Sequence, residues 1–330
     1  MTRLVVCGAI NWDITCFVEH LPVPGEQVTV KGIARVSGGT GANVAVAAAR
    51  ILGAEQVALI GALGEDDIAH QQITSLTAEG VIAEGISHIP GEESGQAYIL
   101  VDQVGQNVIA SHLGANARLG QKHLNNPAVQ TLLQECQSIV LTDPPLAVAT
   151  ELTGLAKKRR VPVLWDPGIL RSHGWAALEP LAKQTDIVFL NEAEATALFG
   201  TGNIDIILRR LQQSQFPRQM VLKLGAKGAI MIEPTRGLLV EAPALPLEEL
   251  GLKVINTVGC GDVFVGAFAA YCTLEASMQK SLIMASVAAG INATRPETRG
   301  SPDRPTLEAI EQRSRNLGFM AQERKPPKNY

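Results

Sequence analysis

Aromatic residues are scarce in this chain, with three tryptophans, three tyrosines and seven phenylalanines among 330 residues. Alanine, glycine, valine and leucine dominate instead, which suits closely packed layers of helix and sheet. Cysteines are few and odd in number: Cys7, Cys16, Cys136, Cys260 and Cys272, with no C-x-x-C pair. That argues against a disulfide framework and for a reducing compartment. No His/Cys cluster has metal-ligand spacing, which argues against a structural zinc. No apolar run approaches the ~20 residues needed to cross a bilayer. Positive charge is also short: the net charge is −4, and the only dense basic run is Lys157-Lys158-Arg159-Arg160. That run reads as the C-terminal end of a helix, where cations are favoured. Neither nucleic acid nor membrane is an expected partner. The start of the chain runs straight into Leu4-Val5-Val6-Cys7-Gly8, a strand pattern and not a signal peptide. A cytoplasmic protein is expected. A nucleophile elbow of the G-x-S-x-G type is missing, as is the Gly-Lys-Ser/Thr of a P-loop. The six histidines are scattered and carry no assigned role.

What the chain does have is Asn256-Thr257-Val258-Gly259-Cys260-Gly261-Asp262, followed by the apolar run Val263 to Tyr271. Two glycines sit where the chain must turn, and one acid sits at the mouth of a buried helix. Glycine lets backbone N–H groups approach a ligand. A helix N-terminus adds unpaired donors and partial positive charge, so the place suits a phosphate. Taken alone, Asp262 is equally well read as an N-cap.

The length suits one large α/β domain with an accessory part, or two domains. Leu4 to Ile10 is a candidate central strand ending in Asn11-Trp12-Asp13. Asn11 and Asp13, two apart, would face one side. Ligands bind at that end of open α/β sheets, although a turn built on Asn and Asp fits equally well. Val28 to Val36 reads as a half-exposed strand leading to Ser37-Gly38-Gly39-Thr40-Gly41-Ala42-Asn43. A helix then ends at Gly53. The glycine loop is not a dinucleotide fingerprint, because Val44 stands at the third glycine position. Val57 to Gly64 is a strand and turn, and Val81 to Ile89 is extended. Two strand-like runs, Ala97 to Val101 and Asn107 to Ala110, flank Gly105 as a hairpin. With Val28 to Val36 they make a small separate sheet, suited to closing over a substrate.

From Ser138 strands and helices alternate, the pattern of a parallel sheet with helices on both faces. Polar residues recur at the strand ends: Asn11, Asp13, Asp143, Asp166, Asn191 and Glu194. A structural sheet has no need of carboxylates repeated at one end, so a ligand cleft there is the better explanation. The terminal Glu323 to Tyr330 reads as frayed.

Four stretches, in order, resemble the ribokinase (PfkB) family of carbohydrate and nucleoside kinases. They are Ser37 to Asn43, Asn191-Glu192-Ala193-Glu194, Lys223 to Gly228, and Asn256 to Asp262. The resemblance runs from about Val5 to Pro305. It implies a ribokinase-like α/β fold: a core of residues 1–12, 38–95 and 116–330 with a mainly parallel sheet, and a β lid of residues 13–37 and 96–115. It implies transfer of the γ-phosphoryl group of ATP to a hydroxyl, with Mg²⁺. Asp262 resembles the general base, and Gly259, Cys260 and Gly261 the backbone anion hole. Glu194 would help hold Mg²⁺ through water. Asn191, Lys223, Gly225, Lys227 and Gly228 fall on the nucleotide side, and Asn11, Asp13, Gly39, Thr40, Asn43 and Asp143 on the sugar side. A pentose is the implied acceptor, ribose first, with a nucleoside as the alternative. A non-catalytic sugar- or nucleotide-binding protein on the same fold is the reading from another class. A homodimer through the lid is implied. This sequence departs from the family at three places. Asn256 stands where the signature has Asp, a residue tied in ribokinases to a monovalent-cation (K⁺) site. Cys260 replaces Ala, and Thr40 replaces a Lys.

Overall fold

The computed structural model describes residues 2–214 and 218–325. Among the described residues there are fifteen strands: β1 (Leu4–Gly8), β2 (Asn11–Phe17), β3 (Gly32–Gly38), β4 (Val57–Leu63), β5 (Val81–Ile82), β6 (Ile86–His88), β7 (Gly95–Val101), β8 (Asn107–His112), β9 (Ser138–Thr142), β10 (Val163–Asp166), β11 (Ile187–Asn191), β12 (Gln219–Lys223), β13 (Ala229–Glu233), β14 (Leu238–Ala242) and β15 (Gln322–Arg324). Eleven of them make one sheet, ordered β15-β14-β13-β12-β11-β10-β9-β1-β4-β5, with β6 on the end of β4. From β12 to β5 the neighbours run parallel, while β12-β13, β13-β14 and β14-β15 are antiparallel.

The parallel strands are buried along their length. All of β1, β4 and β9 is inaccessible, as expected of strands covered by helices on both faces. On one face the helices Thr40–Leu52, Cys260–Thr273 and Met278–Ala293 pack together, with Phe268 against Phe189 of β11 at 5.2 Å. Small residues make that packing possible. A side chain at Gly266 would meet the Val44 carbonyl, so the helices Thr40–Leu52 and Cys260–Thr273 touch backbone to backbone. The second core, on the other face, is built around Trp165, Leu141 and Leu152.

The small sheet runs β3-β2-β7-β8. It corrects two expectations. The first strand stops at Gly8, and Asn11 begins β2 of the small sheet instead of ending β1. The strand expected from Val28 starts at Gly32, leaving Val28 and Val30 in irregular chain. A third correction concerns the terminus. Glu323 and Arg324, read as frayed, pair with β14, where Arg324 meets Glu241. Residues 326–330 of that reading lie outside the described residues.

Candidate active site

Asp262 sits in the first turn of the helix Cys260–Thr273, whose N-cap is Gly259. Gly259 is left-handed, with φ 77°, and a Cβ there would lie 2.5 Å from the Thr298 carbonyl oxygen. Only glycine suits such a position. The helix begins tightly enough that Val263 N–H is the first to reach back, to the Gly259 carbonyl at 2.9 Å. Cys260 N–H donates to Thr257 at 3.3 Å. The N–H groups of Gly261 and Asp262 precede the first helical bond, so they have no acceptor within the helix. Cys260 itself is held from the side, where Asn292 donates to its Sγ at 3.4 Å and to the Val258 carbonyl at 3.2 Å.

Next to this turn stands the other glycine loop. Gly39, at φ 91°, is the N-cap of the helix Thr40–Leu52, and a Cβ there would collide with the backbone of Ala9 to Asn11. That close approach carries Asn43, buried in the first turn, to Asp262: Asn43 Nδ2 donates to Asp262 Oδ2 at 2.8 Å. Thr40 Oγ1 donates to Asp143 Oδ2 at 3.0 Å, and Ile169 N–H to Asp143 Oδ1 at 2.7 Å. Asp143 holds φ 55° at the end of β9, a conformation Asp tolerates better than most residues. Asp13 is buried on β2, its carboxylate against Gly38. Asn11 takes a hydrogen bond from Asn116 at 2.9 Å, and Asn116 also bonds both polar groups of the Ile10 backbone. The residues expected on the sugar side thus come from three places: Asn11 and Asp13 from β2 of the small sheet, Gly39, Thr40 and Asn43 from the start of the helix Thr40–Leu52, and Asp143 from the end of β9 in the large sheet.

On the other side of Asp262 opens a cleft of 490 Å³ lined by Lys223, Gly225, Gly228, Cys260, Gly261 and apolar residues such as Leu245, Leu247 and Phe264. Lys223 leaves β12 and pairs with buried Asp166 at the end of β10. Glu194 is buried nearby. It and Asn191 form a reciprocal cap on the helix Glu192–Phe199, each accepting the other's backbone N–H at 2.8 Å, and Arg171 reaches Glu194 at 3.1 Å. Two sequence-selected residues stand apart. Lys227 is exposed and reaches Glu192 at 3.5 Å. Asn256 bonds its own loop and the segment after the helix Met278–Ala293, accepting from Val258 N at 3.0 Å and donating to Pro296 O at 2.9 Å.

The electrostatics join these groups into one site. Burial pushes Asp262 up to about 7; the Asn43 bond and Lys223 resist, while Asp166 and Asp143 add to the rise. Burial likewise lifts Asp143 to about 6 against its bonds from Ile169 and Thr40, and Asp13 to about 6 against the Arg299 charge. Glu194 is raised by burial and by Asp166. Burial would lower Lys223, but the Asp166, Glu194 and Asp262 charges hold it above its usual value. Crowded, desolvated carboxylates of this kind mark sites built for chemistry more often than for stability.

A family model for the pfkB family of carbohydrate kinases matches residues 1–305. The chain belongs to that family. A ribokinase from Haemophilus influenzae is 30% identical over 314 residues, spanning 93% of this chain and 98% of the relative. A bifunctional ribokinase/ribose-5-phosphate isomerase A from Fructilactobacillus sanfranciscensis is 28% identical; it covers 94% of this chain, which spans 56% of that longer protein. An ATP-dependent ribose-1-phosphate kinase from Halopiger xanaduensis is 26% identical and covers 94% of the chain. Among solved structures, Arabidopsis thaliana ribokinase complexed with ribose and ATP superposes with a TM-score of 0.84 at 26% identity, covering 94% of this chain and 99% of that one. The pfkB assignment makes the protein a sugar kinase that transfers phosphate to a hydroxyl on a ribokinase-like fold. No helix among the described residues is long and apolar enough to cross a membrane.

Two members of this site escaped selection from the sequence. Asp166 was visible only as one more polar strand end, and its partnership with Lys223 depends on the adjacency of β10 and β11 to β12. Arg299 lies in an irregular segment with no periodicity to flag it, yet its guanidinium donates to Asn43 Oδ1 at 2.9 Å.

Proposed function

We propose that this pfkB kinase phosphorylates a pentose, ribose first, using ATP with Mg²⁺, and that Asp262 takes the proton from the attacking hydroxyl. The observation that carries the reading is the position of Asp262. It stands at an open helix N-terminus, between the sugar-side carboxylates and the 490 Å³ cleft. A hydroxyl held by Asp13, Asp143 and Asn43 would meet a base on one side and a phosphoryl group on the other. Positioning and charge neutralisation are what phosphoryl transfer chiefly requires. Of the Gly259-Cys260-Gly261 backbone expected to form the anion hole, the Cys260 N–H is taken by the Thr257 carbonyl; the Gly261 N–H, joined by that of Asp262 and with Gly259 making the turn, suits the transferring phosphoryl oxygens. Asp143 supports the pentose reading: each of its oxygens has one protein donor, which leaves acceptor capacity for sugar hydroxyls. Thr40, which stands where ribokinases carry Lys, is one of those donors.

Lys223, Gly225 and Gly228 line the cleft that would take the nucleotide. The donor set fits a magnesium ion that arrives with the phosphates: Asp166 and Glu194 are both buried, and burial together with the Asp166 charge raises Glu194, a cost that a cation relieves. Among the described residues no cluster of three or more metal-ligating side chains forms, in keeping with a metal held largely by phosphates and water. Bound there, magnesium would neutralise phosphate charge. Asn256 spends both ends of its amide on the protein, which favours turnover without a monovalent cation.

The small sheet acts as a lid in this reading, and as the seam of a homodimer. Its strand register puts Ile33, Tyr98 and Val108 on the face turned away from Asp13, all exposed. Exposed apolar groups in such number mark interaction surfaces.

The test is ADP release from Mg-ATP across a panel of pentoses, hexoses, ribose phosphates and nucleosides. Release with ribose supports the reading, and release only with nucleosides moves the acceptor to a ribose 5′-hydroxyl bearing a base. No release with any acceptor, with sugar or nucleotide still bound, favours a binding protein on this fold.

A further inference from the structure

Arg299 follows the helix Met278–Ala293 in a segment that packs on the anion-hole loop. Its backbone carbonyl is held at 2.7 Å by Arg50, itself clamped by both oxygens of Glu79 at 2.8 and 2.6 Å. Its guanidinium donates in three directions: to Asn43 Oδ1 at 2.9 Å, to the Gly38 carbonyl at 3.1 Å and to Ser75 Oγ at 3.3 Å. Asn43 in turn donates to Asp262. Gly38 ends β3 and lies against the Asp13 carboxylate.

We propose that Arg299 is a positioning residue for phosphoryl transfer, fixing the Asp262 carboxylate through Asn43 and tying that orientation to β3 of the small sheet through the Gly38 carbonyl. An asparagine amide between two partners can present either end. With Arg299 bound to Oδ1, the NH₂ of Asn43 is committed to Asp262 Oδ2, and Oδ1 of Asp262 is left for the acceptor hydroxyl. The chain from guanidinium through amide to carboxylate is charge-assisted along its length, which strengthens each bond. The planar fork matters as much as the charge, because lysine has no fixed geometry for serving Asn43 and Gly38 together. The same cation faces Asp13, so it supports ionisation of the sugar-side acid and of the base. Burial lowers Arg299 to about 10, against the pull of Asp13, Glu79 and Asp262 and with the push of Arg50. It stays charged at neutral pH.

The inference rests on Asp262 being the base, so the experiment separates the two. Turnover of Arg299→Gln, Arg299→Lys, Asn43→Ala, Asp262→Asn and the double variant Asn43→Ala/Arg299→Gln is followed from pH 5 to 9 with ribose and Mg-ATP. Arg299→Gln is expected to lose about 10–100-fold in kcat with KM for ATP unchanged. Its acid limb should move up by about half a unit to one unit. The groups facing this network are Asp13, Glu79 and Arg50 around Arg299, and Asp166, Lys223 and Asp143 around Asp262. None of them is altered by the substitution. Arg299→Lys should restore part of the limb position but little of kcat. The double variant should be no more than about twofold slower than Asn43→Ala. Wild-type kcat and an unmoved limb in Arg299→Gln, with Asp262→Asn inactive, overturn this inference and leave the base in place. Near-wild-type turnover in Asp262→Asn overturns the base and this inference with it. If Arg299→Gln does not fold, Arg299→Lys decides: wild-type behaviour there, or loss of folding there too, overturns the positioning role.

Discussion

Replacing Asp262 by asparagine should make the protein more stable and nearly inactive. The carboxylate is raised from 3.8 to about 7, with burial the leading cause. The folded state therefore binds the proton more tightly than the unfolded chain. Below about pH 4 the group costs nothing. The penalty grows as pH rises from the unfolded value, and it is complete once pH passes the folded value near 7. At about 1.4 kcal/mol per unit, the charge costs the fold no more than about 4 kcal/mol at pH 8. At pH 5 the same arithmetic leaves about 1.6 kcal/mol. Asparagine is nearly isosteric and can still accept the Asn43 bond through Oδ1. Asp262→Asn should thus gain stability at pH 8 in urea melts, and the gain should shrink by about 2–3 kcal/mol at pH 5. Turnover should fall about 10²–10⁴-fold, while sugar binding by calorimetry persists. In the parent protein, kcat/KM for the acceptor should have an acid limb near pH 7, since the base works only ionised. A variant that turns over like the parent, or that is less stable at pH 8 than at pH 5 relative to it, would refute the reasoning.

Other consequences follow from the same geometry. Gly259→Ala places a methyl against the Thr298 carbonyl at positive φ, so we expect roughly 2–4 kcal/mol lost in chemical denaturation together with most of the activity. Lys223→Met removes the partner of buried Asp166, and stability should drop about 3–5 kcal/mol at pH 7.5; an unchanged midpoint of unfolding would show that the pair is not energetically coupled. Because Asn256 bonds Pro296 and Val258, turnover in potassium chloride and in tetramethylammonium chloride should agree within about twofold; strong potassium activation would contradict this. Val108→Asp on the exposed face of the small sheet should shift the mass measured by light scattering from dimer to monomer, and a parent protein that is already monomeric would end the dimer proposal.

Much of the site was written locally. Glycines at Gly39 and Gly259, each followed within four residues by the polar side chain it serves, announce backbone turned toward a ligand at a helix start. Strand-end polar residues point to the sheet edge where ligands bind, and the alternation after Ser138 requires parallel strands. These features depend on spacing and backbone conformation, which neighbouring residues determine. Tertiary structure decided what depends on distant chain coming together. Asn11 could end β1 or begin β2, and only pairing with β3 and β7 selects the second. The terminal Gln322–Arg324 has no strand pattern of its own and is ordered by the free edge of β14. The local sequence left Asp262 equally readable as an N-cap, and only the family resemblance singled it out as a base; its raised pKa needed the tertiary structure, because burial and the Asp166, Asp143 and Lys223 charges that act on it come from distant chain. Arg299 meets Asn43 across 256 residues; no local pattern could have joined them, since that bond needs the segment after the helix Met278–Ala293 to lie on the helix Thr40–Leu52, where Arg50 holds the Arg299 and Ser301 carbonyls.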